Sequence, residues 1–241
     1  MTSQPTAVLV HGALTDASVW HPVLALLQAA EIPATAPALP MRTFDEDAAA
    51  VRSVLDAVEG PVVLVAHSYA GSVISAPQAV TDAVRALVFV AAFQQDAGET
   101  AAGLNGLLPG SELTPENLVV RPYLDGHQVT LRPERFASVY AADVSPAHAA
   151  VMAAAQHAFD PATLGGSFTG SPSWSALPSW SVVSTADRSI PTRTLRFMAE
   201  RAGSRIVEVE SSHAVPLSHP DVVAATIIAA VQSVASIEAA A

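Results

Sequence analysis

Residues 62–71 read VVLVAHSYAG, an apolar, β-branched run that ends in Ser68 between small residues. The run predicts a buried strand, and the residues that follow it predict a helix. A serine at a strand-to-helix turn is typical of a nucleophile elbow, in which a strained backbone pushes the serine oxygen out of the sheet. Only small residues fit two positions before and after such a serine, and here these are Ala66 and Ala70. The alternative is an ordinary strand followed by a serine that caps a helix.

The composition predicts one globular α/β domain with an insertion. Of the 241 residues, 51% are hydrophobic and 14% are charged, so a large core is easily filled. The net charge of −11 argues against nucleic acid and anionic membranes as partners. The chain has no lysine, which excludes Schiff-base chemistry and a P-loop, and no cysteine, which excludes thiolate catalysis and disulfides.

The first residues show neither a basic segment nor an apolar one, so no signal peptide is visible. The apolar stretch at 222–231 is too short to span a bilayer. We therefore expect a soluble, cytoplasmic protein.

The order of elements predicts a mostly parallel, doubly wound sheet with helices on both faces. Continuous apolar strands that alternate with amphipathic helices need cover on both sides. The expected strands are 6–10, 34–39, 62–67, 86–92, 179–185 and 205–209, with one helix running to about Val80 and a last helix from Pro220 to about Ile237.

Between residues 94 and 173 the alternation of strands and helices stops. Seven prolines and several glycines accompany short helical patterns, around 136–142 and 147–159. Because a long unstructured loop is improbable in a compact domain, we expect an inserted cap of short helices. The predicted division is a core of 1–93 and 174–241, with the cap at 94–173.

Polar residues follow several strands at the edge where an open parallel sheet carries its site. In chain order these are Ser68, Asp187 and His213. A histidine can take the proton of a serine nucleophile, and an aspartate can fix the tautomer of that histidine. Asp96, after the fourth strand, is the alternative acid, and His219 is an alternative histidine to which we assign a structural role.

The backbone N–H of Tyr69, at the start of the helix, is expected to bind a developing oxyanion. A second N–H would come from the loop after the first strand, and we assign it to Ala13. Gly12 would let this loop pass close to the substrate. We expect His11 to orient the loop through a backbone hydrogen bond, and His67 to take no part in the chemistry.

With these residues the chain resembles the α/β-hydrolase superfamily, and within it small bacterial esterases akin to plant methylesterases and hydroxynitrile lyases. The resemblance implies an α/β-hydrolase fold and a Ser-Asp-His triad. The lyases of this group carry a threonine at the position of Gly12 and a lysine at that of Ala214, so the resemblance favours ester hydrolysis. It rests on the residues Leu9-Val10-His11-Gly12-Ala13, Trp20, Ala66 to Gly71, Asp187-Arg188-Ser189-Ile190-Pro191 and Ser212-His213.

We therefore expect a serine carboxylesterase that forms an acyl-enzyme on Ser68 with small to medium apolar esters, lactones included. It would need no cofactor and no metal, its partner would be the ester substrate, and a homodimer is left open. The alternatives are a C–C or C–O lyase on the same triad and a non-catalytic ligand-binding protein. Candidate pocket residues are Leu14, Phe93, Phe136, Met152, Phe159, Phe168 and Trp174.

Overall fold

The structure, a computed structural model, describes residues 4–240, with side chains as far as residue 236. The strands are Thr6–Val10 (β1), Ala34–Thr35 (β2), Val62–His67 (β3), Val84–Val90 (β4), Leu118–Tyr123 (β5), Gly126–Leu131 (β6), Ser179–Ser184 (β7) and Arg205–Val209 (β8). The helices are His21–Ala29 (α1), Phe44–Asp56 (α2), Ala70–Ser75 (α3), Ala101–Asn105 (α4), Pro133–Val139 (α5), Pro146–Ala154 (α6), Pro161–Gly165 (α7), Thr192–Arg201 (α8), Val215–Ser218 (α9) and Pro220–Ala240 (α10).

Six strands form one sheet in the order β2-β1-β3-β4-β7-β8, and every neighbouring pair is parallel. Parallel strands need crossover connections, and the helices supply them. The predicted doubly wound sheet is therefore confirmed.

Alternate residues of each central strand pack into two separate hydrophobic cores, one on each face of the sheet. On β3, Leu64 and Ala66 pack into a core that includes residues of α2, α3 and α8. Val63 and Val65 pack into the opposite core, which includes residues of α1 and α10. Burial on both faces explains why these strands are apolar at every position.

Prolines shorten the second strand. The sequence predicted a strand at 34–39, but only Ala34–Thr35 pairs with β1. Pro37 lacks the N–H that a sheet ladder needs, and Pro40 follows soon after. Similarly, the helix expected to reach Val80 ends at Ser75, and a short 3-10 turn with Pro77 at its start follows it.

The segment 94–173 contains four short helices, as expected, but also a β-hairpin that the sequence analysis missed. The hairpin pairs β5 with β6 in antiparallel register, and residues 124–125 form its tight turn. The helices expected at 136–142 and 147–159 are α5 and α6, which end at Val139 and Ala154. The division into core and cap stays a prediction.

Along residues 4–240, no helix combines the length and the apolar character needed to cross a membrane. The last helix, α10, packs instead against α1 and the central strands.

Candidate active site

Ser68 lies at the carboxyl end of β3, where the chain turns sharply into α3. Its φ of 56° falls in the left-handed region, which is strained for a residue with a side chain. The turn needs small neighbours: a Cβ on Gly71 would lie 2.1 Å from the carbonyl oxygen of Phe93. Ala66 and Ala70 are fully buried beside the turn. The sequence pattern therefore corresponds to a strained serine turn at the edge of the sheet.

Ser68, His213 and Asp187 form one hydrogen-bonded chain. His213 Nδ1 lies 2.6 Å from Asp187 Oδ2, so the ring donates its Nδ1 proton to the carboxylate. His213 Nε2 is then free to accept the Ser68 hydroxyl, whose Oγ is 2.8 Å away. The other oxygen of Asp187 accepts the backbone N–H groups of Ser189 and Ile190, at 2.7 and 2.9 Å. The loops after β3, β7 and β8 thus bring the three residues together.

The alternative acid and base lie in other contacts. Asp96 accepts the N–H of its neighbour Ala97 in a partly exposed turn. His219 contacts Ser218 Oγ at 3.0 Å and lies 3.6 Å from Asp143. Within the part of the chain that the structure describes, neither residue contacts Ser68.

The loop after β1 packs directly against Ser68. A Cβ on Gly12 would lie 2.5 Å from the Cβ of Ser68 and 2.9 Å from the carbonyl oxygen of His67, so only glycine fits here. The loop then turns at Leu14, whose φ is 69°. Ala13 and Tyr69 both line the cavity above Ser68. Among the described residues, neither backbone N–H has an acceptor in the protein.

Two buried histidines hold the backbone around Ser68. His11 Nδ1–H donates to the carbonyl of Gly12, and His11 Nε2 accepts the N–H of Leu39, both at 2.9 Å. His67 Nε2–H donates to the carbonyl of His213 at 2.9 Å. Burial lowers the pKa of both rings, that of His67 well below its ordinary value, so they remain neutral.

A turn from the segment 94–173 holds the loop that carries His213. The Ala214 N–H donates to the Tyr140 carbonyl at 2.9 Å, and the Tyr140 ring lies edge-on to His213 with centroids 4.8 Å apart. Asp143 Oδ2 accepts the Ser212 N–H at 3.0 Å, and Asp143 Oδ1 accepts the Ser212 hydroxyl. Burial raises the pKa of Asp143, but these hydrogen bonds outweigh it and hold the pKa below its ordinary value.

Sequence reasoning missed Tyr140 and Asp143. They lie about 70 residues before His213, and no motif links the two segments. Only the fold shows that they meet.

Ser68 lies at the edge of a cavity of about 440 Å³. Of the predicted pocket residues, Leu14, Phe93 and Phe159 line it. Most of the wall comes from residues 101–118, which the sequence analysis did not single out. The described lining residues are Ala13, Leu14, Ser68, Tyr69, Phe93, Ala101, Ala102, Asn105, Gly106, Leu108, Pro109, Gly110, Ser111, Leu113, Thr114, Pro115, Leu118, Tyr140, Phe159, Leu164, Ile190 and His213.

The other predicted pocket residues are not in this wall. Phe136 is fully buried and stacks on Tyr140 with centroids 5.1 Å apart. Trp174 donates its indole N–H to the carbonyl of Gln95. Phe168 is buried in the same hydrophobic core as Phe136, and the partly buried Met152 and Trp174 pack against that core. Packing of this kind is the commoner fate of large apolar residues.

The wall of the cavity is mainly apolar. Among the described lining residues, the ionisable side chains are His213, Tyr69 and Tyr140. Across the described residues, no three His, Cys, Asp or Glu side chains group as ligands for a metal ion. The arrangement can activate a serine hydroxyl beside an apolar ligand.

Comparison with known proteins identifies the family. A model of the alpha/beta hydrolase family matches residues 7–226. No curated protein sequence matches the chain. Among solved structures, polyneuridine aldehyde esterase is 19% identical with a TM-score of 0.79, and covers 94% of this chain and 98% of its own. A pyrethroid hydrolase from Sphingobium faniae is 23% identical with a TM-score of 0.78, covering 96% and 99%. A methylesterase from Arabidopsis is 20% identical with a TM-score of 0.74, covering 95% and 99%. These likenesses extend over nearly the whole length of each chain and show a shared fold. The family model, which spans most of the sequence, shows that the chain belongs to the alpha/beta hydrolase family.

Proposed function

We propose that the protein is a serine carboxylesterase that hydrolyses small to medium apolar esters, lactones included. One observation carries the proposal: Ser68, in a strained turn, is hydrogen-bonded to His213 at 2.8 Å, and His213 to Asp187 at 2.6 Å, beside an apolar cavity. The names of the similar structures, which are esterases and hydrolases, support the reaction class.

In the proposed mechanism, Ser68 Oγ attacks the ester carbon while His213 Nε2 takes its proton. Asp187 stabilises the imidazolium that forms. The N–H groups of Tyr69 and Ala13 bind the oxyanion of the tetrahedral intermediate. The intermediate collapses as His213 protonates the departing alcohol, and water then hydrolyses the acyl-enzyme by the same steps. The reaction needs only the chain and water, so the proposal invokes no cofactor.

The cavity favours neutral substrates. A carboxylate or phosphate group buried there would lose its hydration without gaining an ion pair, since none of the described lining residues is a lysine or an arginine. Its volume of about 440 Å³ is within the range that small ligands occupy in proteins. The preferred acyl and alcohol groups are therefore uncharged and mainly apolar.

The structure gives a steric reason to prefer hydrolysis over lyase chemistry. The resembling lyases carry a threonine at the position of Gly12, but a Cβ here would lie 2.5 Å from Ser68 Cβ. A threonine at position 12 therefore has no space in this backbone. The lyases also carry a lysine at the position of Ala214, which is fully buried. The homodimer and the cytoplasmic location stay predictions.

The test compares Ser68→Ala with Ser72→Ala, a matched control. Ser72 lies one helical turn further on, fully buried, and its hydroxyl has no partner among the described residues. We expect the wild type to release p-nitrophenol from p-nitrophenyl acetate and butyrate with a burst equal to the enzyme concentration. Ser68→Ala should lose at least about 10³-fold in kcat, whereas Ser72→Ala should retain it.

Labelling of Ser68 by a fluorophosphonate should follow the same pattern. Wild-type turnover by Ser68→Ala would overturn the mechanism. Labelling without turnover across a panel of esters would favour the lyase alternative, which cleavage of mandelonitrile would then test.

A further inference from the structure

Asp47, on α2, is a buried carboxylate that the proposed reaction does not use. Its side chain is fully inaccessible to solvent, although a buried charge or polar group is costly unless partners compensate it. It has two partners on different segments. Oδ1 accepts the backbone N–H of Met41 and Oδ2 accepts the hydroxyl of Tyr69, both at 2.8 Å.

The Tyr69 contact reaches one side of the proposed oxyanion hole. Tyr69 follows Ser68, and its backbone N–H is one of the two proposed donors. Its ring is buried, with 1% of the residue exposed, and Asp47 fixes the far end of the side chain. With both ends of the residue held, the peptide that carries the donor has little freedom to turn.

The Met41 contact reaches the other side. Met41 has a φ of 57°, so the segment 39–41 holds a turn that needs support. Two residues earlier, the Leu39 N–H donates to His11 Nε2, and His11 Nδ1–H donates to the carbonyl of Gly12. That carbonyl belongs to the same peptide unit as the Ala13 N–H. Because C=O and N–H point in opposite directions across a trans peptide, a bond that fixes the Gly12 carbonyl also aims the Ala13 N–H.

We propose that Asp47 is a positioning residue of the oxyanion hole, which holds the Tyr69 donor through the phenol and the Ala13 donor through Met41, Leu39 and His11. The proposal rests on the proposed serine esterase function. It explains why an apolar core retains an acidic side chain. One carboxylate has two acceptor atoms, and here they join the turn after β3, at Tyr69, to the segment 39–41, which His11 connects to the loop after β1.

Three variants test the proposal. Asp47→Ala removes both contacts, and Tyr69→Phe removes one while leaving the ring and the backbone N–H. Asp47→Asn keeps an acceptor for Met41 and offers an N–H to the Tyr69 oxygen. Val51→Ala is the control for destabilisation, since Val51 is a fully buried residue of the same helix and a valine side chain forms no hydrogen bonds.

The decisive readout is the inhibition constant of an aryl trifluoromethyl ketone. Ser68 Oγ adds to the ketone carbon, its proton passes to His213, and the carbonyl oxygen becomes an oxyanion in the hole. We expect Asp47→Ala to lower kcat by about 10- to 100-fold and to weaken the ketone by a similar factor, because small misplacements of catalytic groups have costs of that order. KM should change by less than about threefold, since ground-state binding does not use the oxyanion contacts.

Tyr69→Phe should show a smaller loss of the same kind, and Asp47→Asn should recover most of the activity. Val51→Ala should lower the melting temperature while its kcat and ketone affinity stay those of the wild type. Unchanged ketone affinity in both Asp47→Ala and Tyr69→Phe would overturn the proposal for Asp47 alone, provided that the wild type turns over esters. If Asp47→Ala does not fold, Tyr69→Phe decides the question. A wild type that neither hydrolyses esters nor reacts with a fluorophosphonate would overturn the proposed function, and this proposal with it.

Discussion

The buried carboxylate of Asp47 makes a quantitative prediction about stability and pH. Burial raises its pKa from 3.8 to about 6, although hydrogen bonds from Met41 and Tyr69 act in the opposite direction. Between these two values the folded protein binds more protons than the unfolded chain. Stability therefore decreases as the pH rises through this window. A shift of about two units corresponds to roughly 3 kcal/mol, at 1.36 kcal/mol per unit.

Asp47→Asn isolates this effect, because asparagine does not titrate. The free energy of unfolding of the variant minus that of the wild type should increase by about 2.5 kcal/mol between pH 4 and pH 7, since part of the shift lies below pH 4. In melting temperature the change is roughly 5–10 °C for a chain of this length. The measurement is urea unfolding, followed by tryptophan fluorescence, at half-unit pH intervals.

Subtracting the two curves removes the groups that both proteins share, including His11 and His67. Asp143→Asn is the matched control, because hydrogen bonds lower the pKa of Asp143, so its contribution to stability changes with pH in the opposite direction. Its difference curve should not rise between pH 4 and pH 7. A curve for Asp47→Asn that stays flat or falls with pH would refute the reasoning about burial.

Three further changes test the site. Asp143→Ala should lower kcat on p-nitrophenyl butyrate about tenfold with little change in KM, because the substitution frees the loop at Ser212. Asp143→Asn should retain most of the wild-type kcat, and equal losses in the two variants would contradict the hydrogen-bonding role. Gly12→Ala should lower kcat by about 100-fold or more, because its Cβ would lie 2.5 Å from that of Ser68; wild-type kinetics would contradict the close approach. Phe159→Ala should raise kcat/KM for bulky p-nitrophenyl esters, relative to that for p-nitrophenyl acetate, by about tenfold. An unchanged ratio would show that Phe159 does not contact the substrate.

The sequence predicted the central sheet well because its signals are local. Strand β3 has the predicted bounds, since residues 62–67 are continuously apolar apart from His67 and follow Gly60-Pro61. Strand β8 also has the predicted bounds. The chain order of Ser68, Asp187 and His213 sufficed to place them at one edge, because the carboxyl ends of parallel strands meet there.

The segment 94–173 was less predictable, for two physical reasons. The hairpin had a local sequence signal, because Asp125-Gly126 lies between two β-branched runs. However, Pro122 lies within the first run, and a proline there argues against a strand. The contacts of the segment 94–173 with the sheet depend on the path of the chain in three dimensions, which the hydrophobic periodicity of the sequence does not predict. This is why Phe136 and Trp174 lie outside the cavity, while residues 101–118 form most of its wall.

Hydrogen bonds from the segment 94–173 to the loops after β7 and β8 bear on whether this segment acts only as a wall of the cavity. The Ser111 hydroxyl donates to the Ser189 carbonyl at 2.8 Å, and the Glu112 N–H donates to the Arg188 carbonyl at 2.7 Å, so the segment holds the turn after Asp187. Asp143 holds the loop before His213 at the other end.

Substitutions in this segment should therefore fall into two kinds. At Ala102, which lines the cavity, they should change the ranking of substrates, because the wall alone is altered. At Asp143, which is not among the described lining residues, they should lower kcat for every ester by a similar factor, because the loop that carries His213 is displaced. If both kinds changed only the ranking of substrates, the hydrogen bonds from Asp143 to this loop would have no part in catalysis.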